Sequence, residues 1–274
     1  MASATSDFKE RDLGGIVEEL FRVYIRHFLS FLGIIAVAGI PIVIVGAVLG
    51  WYVSAYALEG TDVLSMLFLL IALLIVVAIL AYLIMSAAVT YVVAGHYLGN
   101  RIRVRQAYQL AWHRLGSLIG AALLVGLAVL AMSITIIGIP AAIYFGLTWA
   151  FIVQTVVLEG PSARKSLSRS SFLVKKAWWR VLGILIILGL IESVLSGAAG
   201  GIVGFLTGLV GGAVGAGGLL IEQVSNFAGG LAGIIFMPIS LIGETLLYFN
   251  LRIRKEGYSV EIMARELEMA GKLL

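Results

Sequence analysis

Residues Pro161–Arg180 read PSARKSLSRSSFLVKKAWWR and carry six cations, Arg164, Lys165, Arg169, Lys175, Lys176 and Arg180, in a chain otherwise apolar almost end to end. At 100° per residue the six fall within an arc of about 160°, with Ala163, Leu167, Val174, Ala177 and Trp178 opposite. Phe172 and Trp179 sit among the cations. The stretch runs directly into the apolar segment VLGILIILGLI, residues 181–191. A basic helix with interfacial aromatics in that setting is expected to lie on a membrane and to meet anionic headgroups. A loop that merely holds positive charge on the inner face would satisfy the same rule without a helix. Either reading puts the segment on the cytosolic side, and the topology follows from it.

Composition agrees. Hydrophobic residues make up 61% of the chain and charged residues 12%, against about 25% charged in a soluble domain. There is no cysteine, hence no disulfide framework, thiolate metal site or cysteine nucleophile. The net charge of +4 is explained by the position of the cations at the membrane rather than by nucleic acid. Asp7, Glu10, Asp12, Glu18 and Glu19 argue against a cleavable signal at the N-terminus.

All 19 lysines and arginines fall in four clusters. The first holds Lys9, Arg11, Arg22 and Arg26, and the second Arg101, Arg103, Arg105 and Arg114. The third is the stretch quoted above, and the fourth holds Arg252, Arg254, Lys255, Arg265 and Lys272. One membrane face collects Lys and Arg, so all four are expected to be cytosolic. The intervening 74, 49 and 71 residues each hold two spans of about 20 residues, because the chain must return to the side it left.

The predicted fold is therefore all-α: six transmembrane helices as three hairpins, each preceded by an amphipathic helix on the cytosolic face. A disordered tail at 1–12 leads into one transmembrane domain, 13–257, with repeat units of about 13–100, 101–160 and 161–257. An amphipathic tail, 258–274, follows. In the first unit Leu13, Ile16, Val17, Leu20, Val23 and Tyr24 form the apolar face, with Glu18, Glu19, Arg22 and Arg26 opposite. The spans are about 28–53, interrupted or kinked at Pro41, 64–98, 118–137, a fourth ending at Leu158, 181–196 and 230–251. Gly138-Ile139-Pro140 is predicted as a tight outer turn.

Residues 196–218 contain ten glycines, with Gly200, Gly204, Gly208 and Gly212 at every fourth position. On a helix they make a stripe suited to close packing, in a packed or re-entrant helix; a flexible outer linker is the alternative.

Three acids lie at or near membrane depth: Glu192, Glu222 and Glu244. Intramembrane carboxylates are candidates for proton or cation handling, although each can equally be protonated or hydrogen-bonded, and Glu222 can lie in the outer loop. Tyr248 is a possible partner of Glu244. His27, His96 and His113 have no metal-site spacing, and no phosphate-cradling or nucleophile motif is present. No cofactor, metal or catalytic residue is predicted.

Leu158–Ile191 and Thr245–Glu268 resemble the membrane domain of bacterial glycerophosphoryl diester phosphodiesterases and related stand-alone membrane proteins. The family's closing motif reads roughly YxDLRxRKEGxD; Leu251, Arg252, Arg254, Lys255, Glu256 and Gly257 match it, while Asn250 and Ser259 replace acids. The resemblance implies a membrane module without the family's catalytic barrel, since no histidine here is followed by Arg-Gly. The expected function is a non-catalytic anchor or scaffold in the inner (plasma) membrane of a bacterium or archaeon, with both termini cytosolic. Its expected partners are membrane phospholipids, a second copy, or another membrane or envelope protein. The alternative is a transporter or lipid-handling protein using Glu192 or Glu244, with a membrane-embedded enzyme third.

Overall fold

The computed structural model describes residues 8–56, 61–160, 162–213, 215 and 218–269, with side chains for all of these except 54–56, 61–64, 219, 220 and 267–269. Every regular element among the described residues is helical. In order they are α1 Leu13–Arg26, α2 Phe28–Tyr56, α3 Thr61–Tyr97, α4 Val104–His113, α5 Leu115–Ser133 and α6 Gly138–Thr148. There follow α7 Ile152–Leu158, α8 Ala163–Val174, α9 Trp178–Ala213, α10 Gly218–Ile234, α11 Pro238–Glu256 and α12 Val260–Met269. Six stretches among the described residues are long and apolar enough to cross a membrane: Phe28–Val53, Ser65–Tyr97, Leu115–Ser133, Gly138–Leu158, Trp178–Ala213 and Ile221–Glu256. This agrees with the number of spans read from the cation clusters.

The described residues form two compact units. One takes in the described residues up to Phe31, Leu83–Gly189 and those from Pro238; the other holds Leu32–Tyr82 and Leu190–Met237.

The glycine-rich stretch is helical from Ser196 to Ala213. It continues the fifth span as one helix, α9, of 36 residues, about 54 Å long at 1.5 Å per residue. Its contacts with α10 run antiparallel. The Ser196 hydroxyl donates to the Gly233 carbonyl at 2.9 Å, and Gly200 faces Gly229 so closely that a Cβ on either would lie 3.0 Å from the other's carbonyl oxygen. Next, Gly204 approaches Ser225, and Thr207 donates to the Ser225 hydroxyl at 2.9 Å. Gly211 then meets Ile221. The seam thus steps through 196, 200, 204, 207 and 211. The four-residue stripe does not. A strict spacing of four advances 40° per step around a helix, so the stripe winds off the contact line. Gly208 and Gly212 have nothing within 4 Å of a Cβ position.

On its other side α10 meets α2, which continues as helix through Pro41. Gly230 lies 3.6 Å from Val43 by the same measure, and Gly39 leaves no room for a Cβ beside Ile234.

In the first unit the turn between the third and fourth spans is Ile134–Ile137, not Gly138–Pro140. Gly138 opens α6, where a Cβ would collide with the Met132 carbonyl. Pro140 sits in the first turn, where a missing N–H goes unmissed. The fourth span is discontinuous, broken at residues 149–151 between α6 and α7. Buried Ser170 of α8 bridges the break, donating to the Thr148 carbonyl at 2.9 Å and accepting from the Phe151 N–H at 3.2 Å. Helix α8 therefore packs against α5, α6, α7 and α11, with Ser166, Ser170, Leu173 and Val174 buried. It ends at Val174, so the basic stretch is not one helix through Arg180.

The N-terminal tail was expected to be disordered. Residues 1–7 lie outside the described residues, but Phe8 packs edge-on against Tyr97, Phe249 and Tyr258 at 4.9–6.0 Å between centroids. The Arg11 carbonyl accepts from Arg180 at 3.0 Å and from Asn250 at 2.9 Å.

The glycine seam yields a direct test. Gly200→Leu or Gly229→Leu inserts a side chain into backbone contact, and overpacking of that kind costs about 1–3 kcal/mol. Both are expected to lower the melting temperature in detergent, while Gly208→Leu leaves it unchanged. Equal loss in all three would show that the helices do not cross where described.

Candidate functional site

The residues of the closing motif come together with the basic stretch in one ionic network. On α11, Tyr248, Arg252 and Glu256 are four apart and share a face. Arg252 is 3% exposed, and such a cation needs every donor matched by an acceptor. Its Nη1 and Nη2 donate to Glu266 of α12 at 2.9 and 2.8 Å, a bidentate pair. Its Nε donates to Glu256 at 3.1 Å. The guanidinium lies 3.5 Å from the ring centroid of Tyr258, a cation–π contact. The Tyr258 hydroxyl donates to Glu266 at 2.8 Å.

Arg169 of α8 extends the network. It binds both oxygens of Glu256, with Nη2 at 2.7 Å from Oε2 and Nη1 on Oε1. Its Nε donates to Glu159 at 2.6 Å. The other Glu159 oxygen accepts from the Tyr248 hydroxyl at 2.6 Å, so Tyr248 is committed to Glu159 rather than to Glu244. Burial disfavours the charge on Arg169, but the bonds to Glu256 and Glu159 outweigh it and its pKa is raised. Burial raises the Tyr258 pKa, which the bond to Glu266 reinforces against the opposing charge of Arg252.

The two departures from the motif have local explanations. The Asn250 amide donates to the Arg11 carbonyl and its oxygen accepts from Arg254 at 3.1 Å; a carboxylate could make only the second bond. The Ser259 hydroxyl accepts from the Ile262 N–H at 3.4 Å at the start of α12, a capping position that Asp would also suit.

The remaining basic residues are dispersed. Arg164 and Lys165 are exposed on α8. Arg180 lies in α9. Lys175 and Lys176 form the α8–α9 joint, where Lys176 has φ +67, a left-handed conformation rare outside glycine. The ammonium of Lys255 donates to the Phe172 carbonyl at 2.8 Å and to that of Lys175. It thereby caps the end of α8 with a cation, as the helix dipole favours. Phe172, placed among cations by the sequence, has Arg169 and Lys255 at 5.6 and 5.4 Å from its ring centroid.

A second cluster was not legible from motif spacing. Glu19 was assigned to the polar face of α1, yet it is fully buried. It pairs with Arg11 and Arg22, both at 3.0 Å, and accepts from the Tyr97 hydroxyl at 3.3 Å. Glu18 pairs with Arg22 at 2.7 Å, as its spacing predicts. His96 Nε2 lies 3.7 Å from Glu19, and His96 Nδ1 is hydrogen-bonded to His27 Nε2 at 3.0 Å. Burial disfavours the Glu19 carboxylate, but His96, Arg11 and Arg22 together hold its pKa below the ordinary value. Burial, then His96, Arg26 and Arg101, push His27 down to about 4.

Of the three acids expected at or near membrane depth, Glu192 and Glu244 are half-buried and Glu222 is exposed. Glu192 and Glu222 belong to the second unit and Glu244 to the first. Gln154 and Ser86 are buried without a hydrogen-bond partner for their side chains. No group of three His, Cys, Asp or Glu among the described residues is placed to hold a metal.

Residues 124–265 match the family model described as the membrane domain of glycerophosphoryl diester phosphodiesterase. That is just over half of the chain, and the chain belongs to this family. The matched region contains Glu159, Arg169, Tyr248, Arg252, Glu256 and Tyr258 and stops one residue before Glu266. No curated protein and no solved structure matches the chain.

The Glu19 cluster predicts a pH dependence. His27 has a folded pKa below its unfolded value of about 6.5, so the unfolded chain takes up the proton first. Stability is then full above pH 6.5 and declines as pH falls to about 4. Glu19, also depressed, adds stability that is lost below about pH 4.5, through its folded pKa. Thermal unfolding from pH 7.5 to 4 is expected to show this decline, and His27→Gln to remove its upper part. An unchanged slope between pH 6.5 and 5 in that variant would contradict the assignment.

Proposed function

We propose that this chain is a non-catalytic membrane module, an anchor or scaffold, resident in the inner (plasma) membrane with both termini cytosolic. The observation that carries the reading is the Arg252 network. Three carboxylates, two guanidiniums and two tyrosine hydroxyls there bind one another across α8, α11, α12 and Glu159, as a cross-link between helices does. In this reading the spans are three hairpins, each led by an amphipathic helix: α1, α4 and α8. The exposed cations Arg164 and Lys165 then face anionic headgroups. The module holds a lipid-metabolising or envelope protein, or a second copy of itself, at the membrane.

A second reading, a transporter or lipid-handling protein using Glu192 or Glu244, draws support from the discontinuous fourth span, since broken helices often line substrate paths. The two diverge in a reconstituted system. The scaffold reading expects one protein or a second copy to be retained after crosslinking in native membranes, with Glu192→Gln and Glu244→Gln retaining it equally. A lone monomer whose glutamate variants abolish proton-coupled flux in liposomes would favour the transporter instead.

The orientation has its own test, made simple by the absence of cysteine. Single cysteines at Ser168 and Ser259 are expected to react only from the cytosol, and one at Thr61 only from outside. Reaction of the Ser259 site from outside would overturn the six-span topology.

A further inference from the structure

A groove of about 270 Å³ opens at the α8–α9 joint, and its lining includes three aromatic residues and two lysines. Tyr144 and Trp178 stack at 5.8 Å between centroids and 17° between planes. The Trp178 indole donates to the Tyr144 carbonyl at 3.3 Å. This wall is therefore fixed before any ligand arrives, which lowers the entropic penalty of binding. Phe145 continues it and is exposed, as is the Tyr144 ring. Lys175 and Lys176, both exposed, also line the groove, and none of the lining residues is acidic.

The lysines are held at the groove by the backbone. Lys255 fastens the Lys175 carbonyl, and Lys176 adopts its left-handed φ of +67 in the following turn. A non-glycine residue in that region is kept there only where its surroundings over-determine it. Trp178, a lining residue, also opens α9, whose first-turn N–H groups have no helical acceptor. Cations and an aromatic wall favour an anion with an apolar extension.

We propose that this groove binds one anionic phospholipid, with its phosphate between Lys175 and Lys176 and an acyl chain along Phe145. The volume suits a headgroup rather than a whole lipid, whose chains would lie outside in the bilayer. Tyr and Trp are enriched at membrane–water interfaces, between headgroup and hydrocarbon, and Tyr144 and Trp178 supply both residue types to the groove. The proposal rests on the membrane-module reading but is narrower: it names one site, distinct from the general attraction of Arg164 and Lys165 to the surface.

The test uses the full chain in neutral detergent, titrated with phosphatidylglycerol, phosphatidylcholine or inorganic phosphate while thermal unfolding is followed. Phosphatidylglycerol is expected to raise the melting temperature saturably, and the other two not to. The double variant Lys175→Gln, Lys176→Asn removes both charges, and Asn tolerates the left-handed backbone. It is expected to bind phosphatidylglycerol roughly tenfold more weakly or worse, with an unchanged melting temperature before lipid is added. Arg164→Gln with Lys165→Gln is expected to leave saturable binding intact. If instead the Arg164/Lys165 pair causes the larger loss, the groove fails while general surface attraction stands. An equal shift with phosphatidylcholine would overturn charge recognition, and an equal shift with inorganic phosphate would make it a site for soluble phosphate. If the Lys175/Lys176 variant unfolds without lipid, Trp178→Leu decides: saturable binding as tight as in the parent overturns the proposal, and loss of it supports the proposal.

Discussion

A guanidinium removed from water must find its acceptors inside the protein, and the first unit is organised by that requirement at Arg252. Glu256 and Glu266 take its N–H groups and Tyr258 lies against its face. Removing one partner from such a set leaves an uncompensated charge, which typically costs about 3–5 kcal/mol. Each member is therefore tied to the placement of the others. Glu256 draws in Arg169 and with it α8; Arg169 draws in Glu159, at the end of α7. Helix α8 in turn supplies Ser170, which satisfies the break in the fourth span. The chain of dependence runs from one buried cation to the break in the fourth span.

The second unit is held by a different force. Where both sides of a contact are apolar and the surroundings are lipid, burial gives little preference, and close van der Waals packing with a few hydrogen bonds decides. The Gly200–Gly229 approach and the hydroxyls of Ser196 and Thr207 supply both. Such a seam tolerates few side chains at its centre and many at its ends. Gly208 and Gly212 lie off that contact line, so they share the composition of the stripe without sharing its role.

The number of spans was legible because cation placement is a strong, nearly binary signal. Helix ends were less so. Apolarity continues through the glycines beyond Ser196, and Pro140 does not mark a turn, since it sits in the opening turn of a helix. Glu19 could have been placed correctly: Ile16, Glu19, Leu20 and Val23 follow the i, i+3, i+4, i+7 pattern of one face, and the acid interrupts the apolar stripe rather than opposing it. The distant partners of Glu19 are another matter. Tyr97 is 78 residues away and Arg169 is 87 residues from Glu256, and spacing rules reach only along one helix. The left-handed Lys176 left no trace in the sequence either, because the interaction that stabilises the turn comes from Lys255, far along the chain.

The account depends most on the link between α8 and α11. A double-mutant cycle on Arg169→Ala and Glu256→Ala, read by unfolding in mild detergent, measures it directly. A coupling of about 1–3 kcal/mol is expected for groups that share a network. A value near zero, as exposed surface pairs often give, would contradict the claim that these charges hold the helices together.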